Sequence, residues 1–553
     1  MMRLTTNPGY QKRALIYFAA TLAVWGVLVL PVALEMKIRE GHVLYAAVWM
    51  LCYAFLSLTT ALTFTIYASY FIVSAPAPLP ELASTPADKS VAVICTVRNE
   101  EVGLYERLKY TLEGNLNAQT HFWLLSDSDE RQEAWEKTVI NRLRADYPGQ
   151  TIRYRRRKEH KHFKPGNLAE WLFCHGGRDF DYFFILDADS LMKSGTIEKL
   201  LRKAEHPANW DIWHFQCKTA IIHDFTYFAW LQKMALEIHE RLVFPTLYGI
   251  FGQWISYGHS NLVNTRAYLM VMPPTDELSH DVWDAAALDR LGYRSAIVMD
   301  MTVYEEAPAN YFIAHKRDKR WGQGSISAMK LLLDGRLSLA QRFFVFQGGV
   351  QFINNLVFLV WLLIQFWNMV FAGHFAFDFP VNFQFGSFAL NRTLFLTTAV
   401  AMITFLASSF FAVRSLRDLW NYSCCLLHSN LIMMNNLVNG SLNVLSILFS
   451  PQRLWTPMEK NPFAACPPVL LLKKTSVASL LSIFLWILAW ESGHPWWLLL
   501  TSPMLLGGIF SPLICWWTGR KRSILRPEME ASPAAVAYEE NPESEVALAG
   551  AQL

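Results

Sequence analysis

Charge is scarce in this sequence: of its 553 residues only 17% are Asp, Glu, Lys or Arg, and they sum to +3. So small a balance, with no basic stripe interleaved with aromatics, excludes a nucleic-acid partner, which needs a clustered cationic surface. No Cys-x-x-Cys spacing occurs among the eight cysteines (52, 95, 174, 217, 424, 425, 466 and 515), so buried free thiols are expected. No clear small-residue cleavage pattern follows the first apolar run, which is too long for a signal peptide. A second run comes closely behind it, so both are expected to stay in the mature protein. Lys and Arg are missing from residues 372–387, as suits a loop outside the cytoplasm.

What the chain has instead is apolar surface, 53% hydrophobic and 14% aromatic, gathered in runs long enough to cross a bilayer as helices. Six runs stand out, at 14–34, 44–73, 343–371, 388–413, 475–490 and 496–517. A seventh, 419–449, is interrupted by His428, Asn430, Asn435, Asn436 and Asn439, so it reads as interfacial, re-entrant, or one or two helices lining a polar path. Six to eight spans are expected. Arg3, Lys12 and Arg13 precede the first, and Arg414, Arg417, Arg453, Lys473, Lys474, Arg520, Lys521 and Arg522 lie in later loops and the tail. The positive-inside rule therefore puts both termini and the polar centre in the cytoplasm. The expected division is 1–75 for two spans, 76–342 for the cytoplasmic domain, 343–520 for four to six membrane helices, and 521–553 for a tail. From 527 onward the tail is too rich in Glu, Ala, Pro and Ser to bury a core, so disorder is expected.

In the polar centre a proline-rich linker, 74–89, precedes three short β-rich apolar runs at 91–96, 121–125 and 182–186, separated by helix-compatible segments. This alternation predicts an α/β domain with a doubly wound sheet, whose ligands sit at the carboxyl ends of the strands. Polar residues follow each run there: Arg98-Asn99-Glu100, Ser126-Asp127-Ser128-Asp129 and Asp187-Ala188-Asp189. Asp-x-Asp alone is a weak signal. Directly after a buried strand its carboxylates suit Mg²⁺ or Mn²⁺ bridging the phosphates of a bound donor. Lys164-Pro-Gly166-Asn167, opening a helical pattern, suits a diphosphate. The run Arg153 to Lys158 reads as readily as a solvated basic edge facing anionic lipid. His160 and His162 lack the further ligands a metal site needs.

With these residues in place the sequence resembles the family-2 glycosyltransferases over roughly residues 89–327. The family's first nucleotide-binding Asp falls on Asp127, its Asp-x-Asp on Asp187 and Asp189, and its Lys-x-Gly-Asn on Lys164, Gly166 and Asn167. Its catalytic-base Asp falls on Asp281, and its Gln/Arg-x-x-Arg-Trp element on Arg317, Arg320 and Trp321. Within that superfamily the sequence is most similar to the bacterial osmoregulated periplasmic glucan glucosyltransferases, the glucans biosynthesis glucosyltransferase H group. The base stands in Leu278-Ser-His-Asp281, Tyr304-Glu-Glu-Ala-Pro308 follows, and His315 to Gly324 closes the domain. Two departures are Lys-Pro-Gly-Asn where Lys-Ala-Gly-Asn is usual, and a start without the long cytoplasmic extension common in that group. Regulation by that extension is therefore not carried over, and a periplasmic β-1,2-linked glucan backbone is expected by the resemblance alone.

The resemblance implies a GT-A-like transferase domain inserted between membrane helices, in a multi-pass protein of the bacterial inner membrane. It implies UDP-glucose as donor, a growing glucan as acceptor, a divalent cation on Asp187 and Asp189, and membrane lipid as surroundings. Periplasmic glucan-modifying proteins or acyl carrier protein are the further partners it suggests. Donor contacts are expected from Asn99, Glu100, Asp127, Lys164, Gly166, Asn167, Asp187, Arg317 and Arg320. Trp321 is expected under the acceptor sugar, and Asp281 as general base for an inverting transfer. Against these stand two structural alternatives: Asp281 capping a helix over 282–291, and Arg317, Arg320 and Trp321 lying on an amphipathic interfacial helix. Three functions remain open: a processive glucosyltransferase, a non-processive enzyme loading a lipid carrier, and an inactive transport or scaffold protein. The asparagine-rich stretch 430–439 is a candidate glucan path.

Overall fold

The computed structural model describes residues 3–38, 43–100, 103–222, 224–271, 276–277, 279–370, 413–449, 467–491 and 495–521, with short pieces between 377 and 410. Most of 372–387 and most of the run 388–413, with Arg453, Cys466, Leu278 and the tail beyond Lys521, lie outside the described residues.

The centre is an eight-stranded mixed sheet. Its strands are β1 (Val91–Val97), β2 (Thr120–Ser126), β3 (Ile152–Arg156), β4 (Tyr182–Asp187), β5 (Leu191–Met192), β6 (Ile212–Ile222), β7 (Asn261–Asn264) and β8 (Arg294–Glu306), in the order β3-β2-β1-β4-β7-β6-β8-β5. The three runs read as strands are β1, β2 and β4, and with β3 they form the expected parallel half. Both faces of this half are covered, which is why the runs are apolar without alternation. Helices Leu104–Leu112, Glu130–Asp146 and Phe163–Trp171 make the crossovers.

The other half is not simply wound. β7 pairs antiparallel with both β4 and β6, and β5 antiparallel with β8, while β6 and β8 are parallel. Six strands thus share one direction, and the reversed β7 begins at the edge where those six end. The polar ends of β1, β2, β4 and β8 and the residues just before β7 therefore meet along one edge, the usual ligand position in open α/β sheets.

Four single helices among the described residues are long and apolar enough to cross a membrane: Pro8–Leu34, Val43–Ser69, Leu339–Trp367 and Pro468–Glu491. Leu416–Leu431 and Met433–Phe449 form a pair bent by 55°, a broken span or a re-entrant loop. The run 496–517 folds as two shorter helices, Pro495–Ile509 and Ser511–Thr518.

The sheet domain and the bundle meet through helix Tyr311–Ala328. Asn439 donates to the Tyr311 hydroxyl at 3.4 Å and to the Lys474 carbonyl at 3.2 Å, Asn443 lies 3.3 Å from the His315 ring, and Asn435 bonds Ser511. Asn435 and Asn439, placed on a candidate glucan path, thus spend their amides on contacts between helices. Of the seven described cysteines, all free, Cys95, Cys217, Cys425 and Cys515 are buried as expected. Cys52 and Cys424 are half-buried, and Cys174 is exposed because it lies on the outer side of a π-turn.

Candidate active site

On one side of the cleft, at the ends of β1, β2 and β4, the acids are paired. Asp127 is buried and takes a forked contact from Arg157, at 2.5 Å from Nε and 2.8 Å from Nη2, and a third bond from Asn167 at 3.0 Å. Arg157 also donates to the carbonyls of Lys161 and Phe163, tying down the loop before helix Phe163–Trp171. Lys164 bonds Asp187 at 2.5 Å. A Cβ on Gly166 would stand 2.3 Å from the Lys161 carbonyl oxygen and 2.7 Å from His162 Cβ, so the chain's own backbone demands glycine there.

Three residues of the basic run are therefore not a solvated edge, while Arg153 and Lys158 at its ends remain exposed. Arg157 is buried on Asp127, Arg155 pairs with Glu170 and bonds Asn167, and Arg156 bonds the Ser128 carbonyl and Glu133. The fork of Arg157 closes only because the fold brings it to an acid 30 residues earlier in the chain.

Asn99 has φ near +56°, a left-handed conformation that asparagine tolerates. Its side chain exchanges two hydrogen bonds with Asp129, at 2.9 and 3.0 Å. The Glu100 carboxylate lies 3.9 Å from Arg107, which also pairs with Glu306 at 3.2 Å.

Asp281 stands on the other side. Helix His280–Arg290 has Ser279 in the cap position, so Asp281 occupies the first turn and is not the cap. Desolvation raises its pKa to about 6, against the backbone N–H groups of the helix start and the charges of His259 and Lys164, which favour its ionised form. Asp284, one turn on, is pushed well up by burial and by Asp281, and accepts from the buried Tyr268 hydroxyl at 3.2 Å. His280 is driven down to about 3 by burial, with Lys164 adding to the effect.

Helix Tyr311–Ala328 closes the cleft. A Cβ on its Gly324 would meet Ser279 Oγ at 2.0 Å, so the helix backbone lies directly on the turn that starts the Asp281 helix. Arg320 is half-buried; its charge is opposed by burial and supported by Asp187, Asp189 and Asp281 together. That one guanidinium senses all three carboxylates places the two sides of the cleft within electrostatic reach of each other. Arg317 lies 4.2 Å over the ring of Trp321, which is 46% exposed.

Sequence reasoning assigned no role to three residues at this site: Arg157, His259 and Glu305. His259 Nε2 is 3.5 Å from Glu305, whose carboxyl is raised by burial in a setting it shares with Asp187, Asp189 and Arg317. Glu305 lies within the quoted Tyr304-Glu-Glu stretch, and a Gly-His-Ser-Asn turn opening a strand was the available signal for His259. Among the described residues no group of three or more His, Cys, Asp or Glu side chains converges as a metal site. Asp187 and Asp189 fit a hard cation completed by water and phosphate oxygens, the mode Mg²⁺ favours.

No protein-family model matches the chain. It is 27% identical over 327 residues to the glucans biosynthesis glucosyltransferase H of Shewanella oneidensis, covering 55% of this chain and 44% of that protein. It is 28% identical over 260 residues to the protein of the same name from Shewanella sp. strain W3-18-1, covering 44% and 35%. The likeness read from the motifs is thus borne out by relatives of that name, although the match spans less than half their length. Among solved structures it is similar to a Pyrobaculum calidifontis mannosyltransferase in complex with GDP-Man and Mn²⁺. There the TM-score is 0.47 at 14% identity, over 73% of this chain and 99% of that one.

Proposed function

We propose that this chain is an inverting glycosyltransferase that moves glucose from UDP-glucose onto a growing glucan, adding units repeatedly to a periplasmic, β-1,2-linked backbone. The observation that carries the reading is the shared environment of Arg320: a carboxyl poised near pH 6, an Asp-x-Asp pair and a half-buried cation converge at one sheet edge.

In this reading the acceptor oxygen attacks the anomeric carbon while Asp281 takes the hydroxyl proton. The bond from that carbon to the diphosphate oxygen breaks, and the departing charge falls to Arg320 and Lys164. Asp187 and Asp189 would hold a Mg²⁺ or Mn²⁺, which when bound adds positive charge at the leaving diphosphate. Lys164 then exchanges Asp187 for a phosphate oxygen. Asp127, Asn167 and Arg157 shape the nucleotide end, with Asn99 and Glu100 at its rim, and the half-exposed ring of Trp321 supports the acceptor ring. The same reading takes the membrane to be the bacterial inner membrane and this domain to be cytoplasmic, a side supported by the basic residues Arg3, Lys12 and Arg13 ahead of the first span.

The test is purified full-length protein in lipid with labelled UDP-glucose and Mg²⁺ or Mn²⁺, set against a chelator, followed by linkage analysis. Metal-dependent polymer is expected. Glucose on a lipid alone would favour the single-transfer reading, and no turnover of UDP-glucose would overturn the proposal.

A further inference from the structure

His280 precedes the proposed base and has no part in the chemistry above. It is only 6% exposed, and its ring Nε2 is buried without a hydrogen-bond partner. Leaving such a buried nitrogen unpaired is unfavourable, so a side chain kept in this state calls for a reason. Its surroundings supply one. Lys164, Asp187 and His259 all stand within electrostatic reach of the ring. The ring also packs on Gly258, whose φ of +75° suits glycine alone. A Cβ there would lie 3.2 Å from His280 Cε1, 3.4 Å from Nε2 and 3.2 Å from Asp281 Cβ. The missing side chain keeps room beside the nitrogen and the base at once.

We infer that His280 is a specificity-determining residue whose Nε2 hydrogen-bonds one hydroxyl of the sugar being transferred. The inference rests on the glucosyl-transfer reading and deepens it. Three features select this ligand. Burial, with Lys164 and His259 close by, keeps the ring uncharged at neutral pH, leaving one donor and one acceptor nitrogen. A hydroxyl both donates and accepts and carries no charge, so it matches either tautomer, whereas a phosphate oxygen would favour a cation. The transferred sugar, rather than the acceptor, is the one that must lie between the diphosphate held near Lys164 and the attacking oxygen at Asp281. His280 borders both. A site built to bond a hydroxyl discriminates strongly against an analogue lacking it, because its own buried group is then left unpaired.

The experiment compares UDP, UDP-glucose and the 2-, 3-, 4- and 6-deoxy analogues of UDP-glucose for binding and turnover on full-length wild type, His280→Ala and His280→Gln. In the wild type one deoxy analogue should lose roughly tenfold or more in kcat/KM beyond the others. In His280→Ala that selective loss should vanish while UDP affinity stays unchanged, and His280→Gln, which keeps a neutral donor and acceptor, should restore part of it. His280→Gln carries the test if the alanine variant does not fold. An unchanged deoxy profile in the variants, or UDP binding lost in parallel, overturns the inference alone. Wild type that turns over no UDP-glucose overturns it together with the reading beneath it.

Discussion

Along one side of the cleft Asp127 is matched to Arg157 and Asp187 to Lys164, whereas across it Asp281, Asp284 and Glu305 are acids whose ionisation burial opposes. The first side stores its charge as ready-made pairs. A diphosphate arriving there can exchange one partner for another at little desolvation cost. The second side leaves its acids near the protonated state, and a carboxyl held near pH 6 is matched to receiving a proton at neutral pH. One sheet edge therefore carries a charge-exchange surface and a proton-accepting surface.

The sharpest way to break this comparison is Asp281→Asn, which keeps size and removes the proton acceptor. Transfer should fall by about 10² to 10⁴ while UDP binding persists. The wild-type rate should also decline as pH drops through about 6, since the base works only when ionised, and the variant's residual rate should lack that limb. A pH profile of kcat/KM on both proteins checks this; a shared limb would move the titration to another group.

On the paired side the largest effect should be on stability. Arg157→Ala leaves a buried carboxylate with its charge unmatched, an outcome that costs about 3–5 kcal/mol when one partner of a buried pair is removed. Thermal unfolding and UDP titration should both worsen. Arg157→Lys should recover little, because a single ammonium cannot reproduce the forked contact. If Arg157→Ala unfolds like the wild type, the pair is solvated in solution and the contrast between the two sides weakens.

Trp321→Ala should have the smallest effect on the fold, the ring being half exposed, and should spare donor binding while shortening the product. Donor affinity and glucan length measured on one preparation decide it. Full-length product would make Trp321 an interfacial anchor carrying Arg317. Parallel loss of donor affinity would make it a support for the donor side.

What could be read in advance follows from how local each cause is. Strands β1, β2 and β4 announce themselves because a parallel strand covered on both faces is a continuous apolar run. β6 and β8 mix polar and apolar residues, as in Ile212-Trp-His-Phe-Gln216, because buried His214 and Gln216 find their partners on distant segments, at Ser295 and at the backbone of His259 and Ser260, and the reversed β7 has only four residues. The motif positions were legible one by one, but Arg157 looked solvated since its partner lies 30 residues away. Whether Asp281 caps its helix turned on two residues of register, since the cap is Ser279. Asn435 and Asn439 show the same limit: polarity at membrane depth predicts that a partner exists, and packing alone chooses between a helix and a passing ligand.

The far end of the Asp281 helix carries a further consequence. Buried Asp289 accepts from the Ser338 backbone N–H at 2.7 Å and its hydroxyl at 2.8 Å, just before the Leu339 span. Arg3, just ahead of the first span, donates to the Asp289 carbonyl. The helix that presents the proposed base is thus moored at its rear to the entry points of two membrane segments. Residues 76–337, cut out and expressed as a soluble fragment, would lose both moorings and leave Asp289 buried with neither. The fragment should still bind UDP, since the paired side lies wholly within it, yet transfer poorly. Isothermal titration beside a turnover assay on the fragment would show whether this catalytic domain can be separated from its membrane at all.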